Sequence, residues 1–539
     1  MSQNKDTIEI YDTTLRDGTQ AEGISLSLED KLMIADKLDA LGLDFVEGGY
    51  PLSNPKDRAF FEAIAARPPA HAKVAAFGMT RRRDQAAEDD LGMQALLACG
   101  APVVTLVGKS WDLHVRDVLR AAPEENLAMI ADSVGLMARA GRETIYDAEH
   151  FFDGWAANPD YALRTVASAV KAGATRVVLC DTNGGALPDA VRAATEAVVR
   201  QFGGVRIGIH CHNDANLAVA NSLAAVAAGA RHVQGTINGI GERCGNADLT
   251  SVVPLLVLKY GYACHAAGAM ERLTEVSRYV YEIANLSLRD NQPFVGMAAF
   301  AHKGGMHVHA VQRNVSTYEH IDPATVGNRR RILISELAGA TNVAVLADKR
   351  FNLQADRDLQ RRVLEAVQDR ENAGYQYEAA EASFELLIRR LLGGKWHRRF
   401  WELDHYRCVI LANGSTHPAT EAIVKLTVDG QVVHTVAEGD GPVNALDAAM
   451  RKALQPFYPT IDALHLADYK VRVVNPRAGT AAKVCVVIEF HDETCGYFGT
   501  VGVDENIIHA SWEALADAIE FKLLNERENH ADAPPAKTP

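Results

Sequence analysis

A (β/α)8 barrel of the TIM type, followed by a helical linker and a C-terminal α+β domain with an internal pseudo-repeat, is the α/β fold that the sequence predicts. Three observations predict it. Short β-branched runs return about every 30 residues, eight times over about 260 residues. Ala- and Leu-rich stretches with helical periodicity separate them. The last ~130 residues change character and hold two similar strand-then-helix units. At 539 residues the chain is also too long for one core, so two or three domains are expected.

The strand runs are, in order, "TIEIYD", "DFVEGG", "KVAAFG", "PVVTLVG", "TIYDAEH", "TRVVLCDTNG", "RIGIHCHND" and "RHVQGTING". Stretches such as "EDKLMIADKLDALG" and "YALRTVASAVKAG" lie between them and end in Gly, as a helix C-terminus does. Eight such units suit a closed barrel, whereas a doubly wound open sheet usually has fewer. The expected divisions are a barrel over 1–265, a mostly helical subdomain over 266–400, a repeat module over 401–525 and a disordered, Pro-bearing tail over 526–539. In the module, matching units begin their strands at Tyr406 and Tyr469.

Composition narrows the partners. Apolar residues make up 48% and charged residues 23%, ordinary for a soluble globular protein. A formal charge of −14 gives no support to nucleic acid or an anionic membrane as partner. Eight scattered cysteines without a CxxC pair fit reduced thiols in a cytosol. The N-terminus lacks the apolar core of a signal peptide, and no apolar run could span a bilayer, so a cytoplasmic location is expected.

Barrel chemistry sits in the loops after the strands. That rule selects Arg16 and Asp17 after strand one, Glu47, Lys109, Glu149, then Asp181, Thr182 and Asn183, then His210 and His212, and finally Glu242, Arg243 and Asn246. In "HCHND", residues two apart on a strand share a face, so His210 and His212 point together. They read as half of a metal site or as two hydrogen-bonded histidines. Asp17 could add a carboxylate and Asn246 a carbonyl oxygen, a set suited to a borderline divalent ion with positions open for substrate. Arg16 beside it suits a carboxylate or a developing oxyanion, or else forms an ion pair with Asp17 or Glu47 that holds the loop. After the barrel, "FAHKGGMHVHA" brings His302, His307 and His309, with Tyr318 close behind. That segment reads as a surface loop, or as a further histidine pair without a nearby carboxylate. The basic runs Arg81–Arg83 and Arg329–Arg331 read as solvated faces or phosphate contacts.

"DTTLRDGTQ", "HCHND", "GIGERCGNAD", "AHKGGMHVHA" and "DPATVGNRRRILISELAG" together resemble the metal-dependent, acyl-CoA-condensing barrels, the 2-isopropylmalate, homocitrate and citramalate synthases. "GKSWDLHV" and "YDAEHFFDGWAANPDYAL" resemble the citramalate branch. The resemblance covers nearly the whole chain. It implies condensation of acetyl-CoA with pyruvate and thioester hydrolysis to citramalate, with the alternatives of a related 2-oxo acid synthase or a non-catalytic effector-binding paralogue. It implies Asp17, His210, His212 and Asn246 as ligands of a divalent ion (Mg, Mn or Zn). Arg16 matches the arginine that contacts the 2-oxo acid and Thr182 a threonine that binds its carboxylate. Glu149 matches the catalytic glutamate, and His307 and Tyr318 match a histidine and tyrosine that the post-barrel segment brings to the site. The C-terminal repeat resembles a regulatory, dimerising domain, which implies a homodimer with an amino-acid effector, isoleucine, on the route to isoleucine.

Overall fold

The computed structural model describes residues 7–303, 305–332, 357–412, 419–492 and 494–531. The chain divides into two compact units, Met1–Phe300 with His320–Arg330, and Ala301–Glu319 with Arg331–Pro539.

In the first unit, β1 (Glu9–Asp12), β2 (Phe45–Gly49), β3 (Lys73–Met79), β4 (Val103–Lys109), β5 (Glu143–Glu149), β6 (Arg176–Asp181), β7 (Arg206–Cys211) and β8 (His232–Gly235) close into a barrel in sequence order. All pairings are parallel, and β1 meets β8 from Glu9 opposite His232 to Asp12 opposite Gly235. Helices pack outside, and their ends are set by local chemistry. Ser27 and Asp30 form a reciprocal capping box on Leu28–Ala40. Gly173, at φ 106°, closes Pro159–Ala172 in the left-handed region that favours glycine. Tyr11, Phe45, Ala75, Val103, Ile145, Val178 and Cys180 pack inside the barrel. At the N-terminal ends of the strands the buried Glu9 carboxylate accepts from Arg176 Nε at 2.6 Å and Nη2 at 2.8 Å. With the foot filled this way, the chemistry is left to the opposite mouth.

In the second unit, β9 (Ala301–His302) and β10 (Arg331–Ile332) pair in parallel. Helices follow at Arg357–Asn372 and Glu381–Leu392. The end of the expected helical subdomain's "DPATVGNRRRILISELAG" passes into residues 333–356, outside those described. The repeat is plain. β11 (Glu402–Leu411), β12 (Ala419–Val428) and β13 (Gln431–Gly439) form an antiparallel sheet backed by helix Pro442–Leu454. β14 (His465–Val473), β15 (Val484–Asp492) and β16 (Gly496–Asp504) repeat it, backed by Ile507–Ala531. Even an irregularity recurs: the register shifts between Leu403 and His405, just before Tyr406, and between Leu466 and Asp468, just before Tyr469. The last helix runs past the expected boundary at 525, because its acidic residues are tied down. Glu526 meets Lys522 one turn back at 3.1 Å, and Glu528 pairs with Arg389 at 2.6 Å. Residues 532–539 lie outside those described.

Candidate functional site

The loop after β1 is folded by its own side chains. Asp12 accepts from the Thr14 N–H at 2.8 Å and the Thr14 hydroxyl at 2.7 Å, and the Asp17 N–H donates to Thr13 Oγ1 at 3.2 Å. Held so, Arg16 and Asp17 enter the barrel mouth together. Arg16 donates through Nε to Glu47 Oε2 at 2.7 Å and through Nη1 to Asp17 Oδ2 at 2.9 Å, with its guanidinium 3.9 Å from the Phe77 ring centroid. Glu47 is fully buried and also accepts from the Tyr11 hydroxyl at 2.7 Å and from Thr13. The loop-holding ion pairs expected of Arg16 are therefore present. The same residue nonetheless lines an open cavity of about 510 Å³ together with Asp17, Asp147, Glu149, Thr182, His210 and His212.

The two histidines converge on the aspartate. His210 Nε2 and His212 Nε2 lie 3.9 and 4.0 Å from Asp17 Oδ2, and all three residues are buried. The strand pairing brings Gln234 of β8 opposite His210 of β7. Gln234 Oε1 sits 3.0 Å from His210 Nδ1 and, as a carbonyl, accepts its proton, so Nε2 keeps a lone pair facing Asp17. Burial, helped by the neighbouring His212, pushes His210 down to about 3, and burial lowers His212 too. Both rings are neutral, the form that ligates metal. Burial works to raise Asp17, but Arg16 and the histidines outweigh it and bring the carboxyl to about 2. Asn246 donates Nδ2 to Asp17 Oδ1 and to Ile240 O, both at 3.1 Å, which leaves its Oδ1 buried without a hydrogen-bond partner. Two neutral imidazoles, a carboxylate and an orphaned amide oxygen are a donor set that fits a divalent cation.

Around this cluster the other loop residues divide. Glu149 forms an ion pair with Lys109. Thr182 Oγ1 accepts from the His150 N–H at 2.8 Å, which frees its own hydroxyl proton to donate into the cavity. His150 carries a positive φ of 55° at this turn, a conformation that costs a non-glycine residue energy. Asp181 is turned to its loop, accepting from the Ala186 N–H at 3.2 Å and Asn221 Nδ2 at 3.3 Å. Arg243 donates to Asp214 at 2.8 Å and to the Thr182 carbonyl at 2.7 Å, bracing the loop that carries Thr182. Asn183 pairs with Asp153 at 3.0 Å, and Glu242 lines the cavity.

In the second unit, His307 stands on helix Gly305–Arg313 and stacks on Tyr318, ring centroids 4.2 Å apart. His302 bonds Glu319 at 3.0 Å. Among the described residues His307 and His309 join no ligand-type cluster with a carboxylate. The run Arg81–Arg83 is not simply a solvated face: Arg81 is buried between Glu125 at 2.8 Å and Asp132 at 2.9 Å. Two participants escaped the sequence. Lys31 reaches the cavity wall from a helix and donates to Gly48 O at 2.9 Å and Asp57 at 2.6 Å. Gln234 lies inside a strand rather than in a loop after it, where the barrel rule does not look. Burial, reinforced by Glu47, pushes Asp147 up to about 8.

Residues 7–280 match the HMGL-like family, residues 294–374 a homocitrate synthase post-HMGL domain-like family, and residues 378–523 the LeuA allosteric (dimerisation) domain. An (R)-citramalate synthase of Aquifex aeolicus (strain VF5) is 49% identical over 97% of this chain and 98% of its own length. One from Synechocystis sp. is 50% identical over 97% of each chain. A 2-isopropylmalate synthase of Methanocaldococcus jannaschii is 30% identical over 97% of this chain and 96% of its own.

Proposed function

The chain belongs to the HMGL-like (R)-citramalate synthases, a family of transferases, and on that premise we propose that its barrel mouth condenses the acetyl group of acetyl-CoA with pyruvate, giving citramalate and free CoA. The observation that carries the chemistry is the Asp17–His210–His212 cluster with the Asn246 oxygen beside it and Arg16 at 2.9 Å from Asp17. Asp17, His210, His212 and Asn246 would hold a divalent cation, which when bound supplies Lewis-acid polarisation of a 2-oxo acid carbonyl. Mg, Mn and Zn all remain compatible with the donors.

The chain's own groups do the rest. Arg16, clamped by Glu47 and Asp17, presents a fixed guanidinium where alkoxide charge develops on the acceptor oxygen. The Thr182 hydroxyl donates to the acceptor's carboxylate. Glu149, paired with Lys109, stands at the cavity wall as one base for the acetyl methyl proton. The stacked His307–Tyr318 pair is the second acid–base candidate. Water then hydrolyses the thioester product. The C-terminal repeat serves as a dimerising regulatory domain with isoleucine as effector, and the match to an allosteric (dimerisation) domain supports that role. On this reading the enzyme works in the cytoplasm. The deciding experiment measures free thiol released from acetyl-CoA with a panel of 2-oxo acids. Pyruvate is expected to give the highest kcat/KM. A preference for 2-oxoisovalerate or 2-oxoglutarate would move the protein to a sister activity, and release with none would leave an effector-binding paralogue.

A further inference from the structure

We propose that Asp147 is a positioning residue that acts through Gln234 to set which nitrogen of His210 carries the proton, and so whether the barrel mouth can hold its cation. The inference rests on the metal reading above.

The geometry is a relay across the barrel interior. Asp147 lies on β5 and Gln234 on β8, and Gln234 Nε2 donates to Asp147 Oδ1 at 3.1 Å. Gln234 Oε1 then meets His210 Nδ1 at 3.0 Å. All three residues are at least nine-tenths buried, so water is a poor substitute for any partner. A side-chain amide has two unlike ends. Because the NH2 end is taken up by Asp147, the carbonyl end must face His210. A carbonyl accepts only, so His210 must carry its proton on Nδ1 and leave the Nε2 lone pair toward Asp17, 3.9 Å away. Turned the other way, the amide would donate to Nδ1 and place the proton on Nε2, where it blocks ligation. Among the described residues Asp147 makes the other side-chain bond to Gln234, and its Oδ1 accepts there, as either oxygen of a carboxylate or the carbonyl oxygen of a neutral carboxyl can, which holds the amide in this orientation. Asp147 also lines the cavity, so it needs to be shown to act through the relay and not through packing alone.

The test uses the full-length, metal-free protein with Co²⁺ as probe. Nitrogen-15 shifts report the His210 tautomer, and the Co²⁺ absorption spectrum reports affinity and ligand field. Wild type is expected in the Nδ1–H form. Asp147→Leu should populate the Nε2–H form and weaken Co²⁺ by about 10–100-fold, the usual cost of losing an outer partner of a metal-bound histidine. Asp147→Asn, whose carbonyl can still accept from Gln234, should recover most of that affinity. In a Gln234→Leu background, Asp147→Leu should add little, because the relay is already cut. An unchanged tautomer in Asp147→Leu, or equal losses in both backgrounds, would overturn the proposal. Those readouts do not involve the acceptor substrate, so they stand whichever 2-oxo acid the enzyme prefers. Failure of wild type to bind Co²⁺ would count against the metal reading, while the tautomer measurement would still judge the relay.

Discussion

Arg16→Gln separates the two roles that Arg16 combines. The substitution keeps a donor of similar reach but removes the charge and the fork that spans Glu47 and Asp17. Two separate costs follow. Glu47, with no side-chain exposure, keeps its bonds from Tyr11 and Thr13 but loses its ion-pair partner among the described residues. Removing one member of a buried pair typically costs about 3–5 kcal/mol, and because the Arg16 side chain is 15% exposed the lower end applies. The second cost is catalytic. Losing a preorganised oxyanion donor lowers kcat by about 10²–10³, or roughly 2.7–4 kcal/mol of transition-state stabilisation. Denaturant midpoints of the barrel transition and kcat from thiol release measure the two independently. The double variant Arg16→Gln, Glu47→Gln sharpens the contrast: Asp17 still lacks its guanidinium partner, but Glu47 no longer stands as a buried charge without one, so the Glu47 share of the lost stability should return, while kcat stays depressed. If Arg16→Gln lowered the midpoint yet kept kcat within threefold of wild type, Arg16 would be a loop clamp and the oxyanion assignment would be wrong.

Asp17→Ala or His212→Ala should abolish condensation and lower divalent-metal content; metal equal to wild type by elemental analysis in both folded variants would refute the ligand assignment. His307→Ala and Tyr318→Phe should depress kcat with pyruvate KM largely unchanged, since they act on proton transfer and not on chelation, and wild-type turnover in both would remove them from the mechanism. Isoleucine should inhibit the full chain but not a truncate, a coupling of about 1–3 kcal/mol being ordinary. The cut belongs after Gly374 and not at Phe400, because Tyr375 bonds Glu513 at 2.8 Å and Ser383 bonds Asp517 at 2.6 Å, which makes Glu381–Leu392 part of the repeat's core. Equal inhibition of both forms would place the effector site in the barrel.

The barrel was legible because its signals are local and repeated: a strand period, a helix period and a glycine between them, eight times over. The ligand cluster was legible for a related reason. Strand ends converge on one rim, so residues far apart in sequence, such as Asp17, His212 and Asn246, can be placed together by the topology alone. What the sequence hides are contacts set by side chains reaching across that topology. Gln234 and Asp147 meet across the barrel, and Lys31 reaches Gly48 from a helix. Arg81 is buried only because Glu125 and Asp132, some 50 residues on, fold back to cover it. The stacking of His307 on Tyr318 was within reach of the sequence because both stand on one short segment.

The charges at the mouth argue for an order of binding. The histidines are neutral, the Lys109–Glu149 pair cancels, and Asp147, pushed up to about 8, is largely protonated at neutral pH. Lys31 pairs with Asp57, and Lys56 and Glu242 on the same wall offset each other in charge; Asp17 and Glu47 then face Arg16, two carboxylates against one guanidinium, which leaves one net negative charge at the mouth. A 2-oxo acid is itself an anion and would double that charge. A divalent cation brings the assembly with substrate back to neutrality. In a site of low effective dielectric the difference between these states exceeds what one hydrogen bond from Thr182 can offset. Pyruvate should therefore bind the metal-free protein at least tenfold more weakly than the Mg²⁺- or Mn²⁺-loaded protein, by calorimetry in the absence of acetyl-CoA. Equal affinity with and without the ion would mean that Arg16 and Thr182 suffice to hold the acceptor and that the negative charge at the mouth does not oppose its binding.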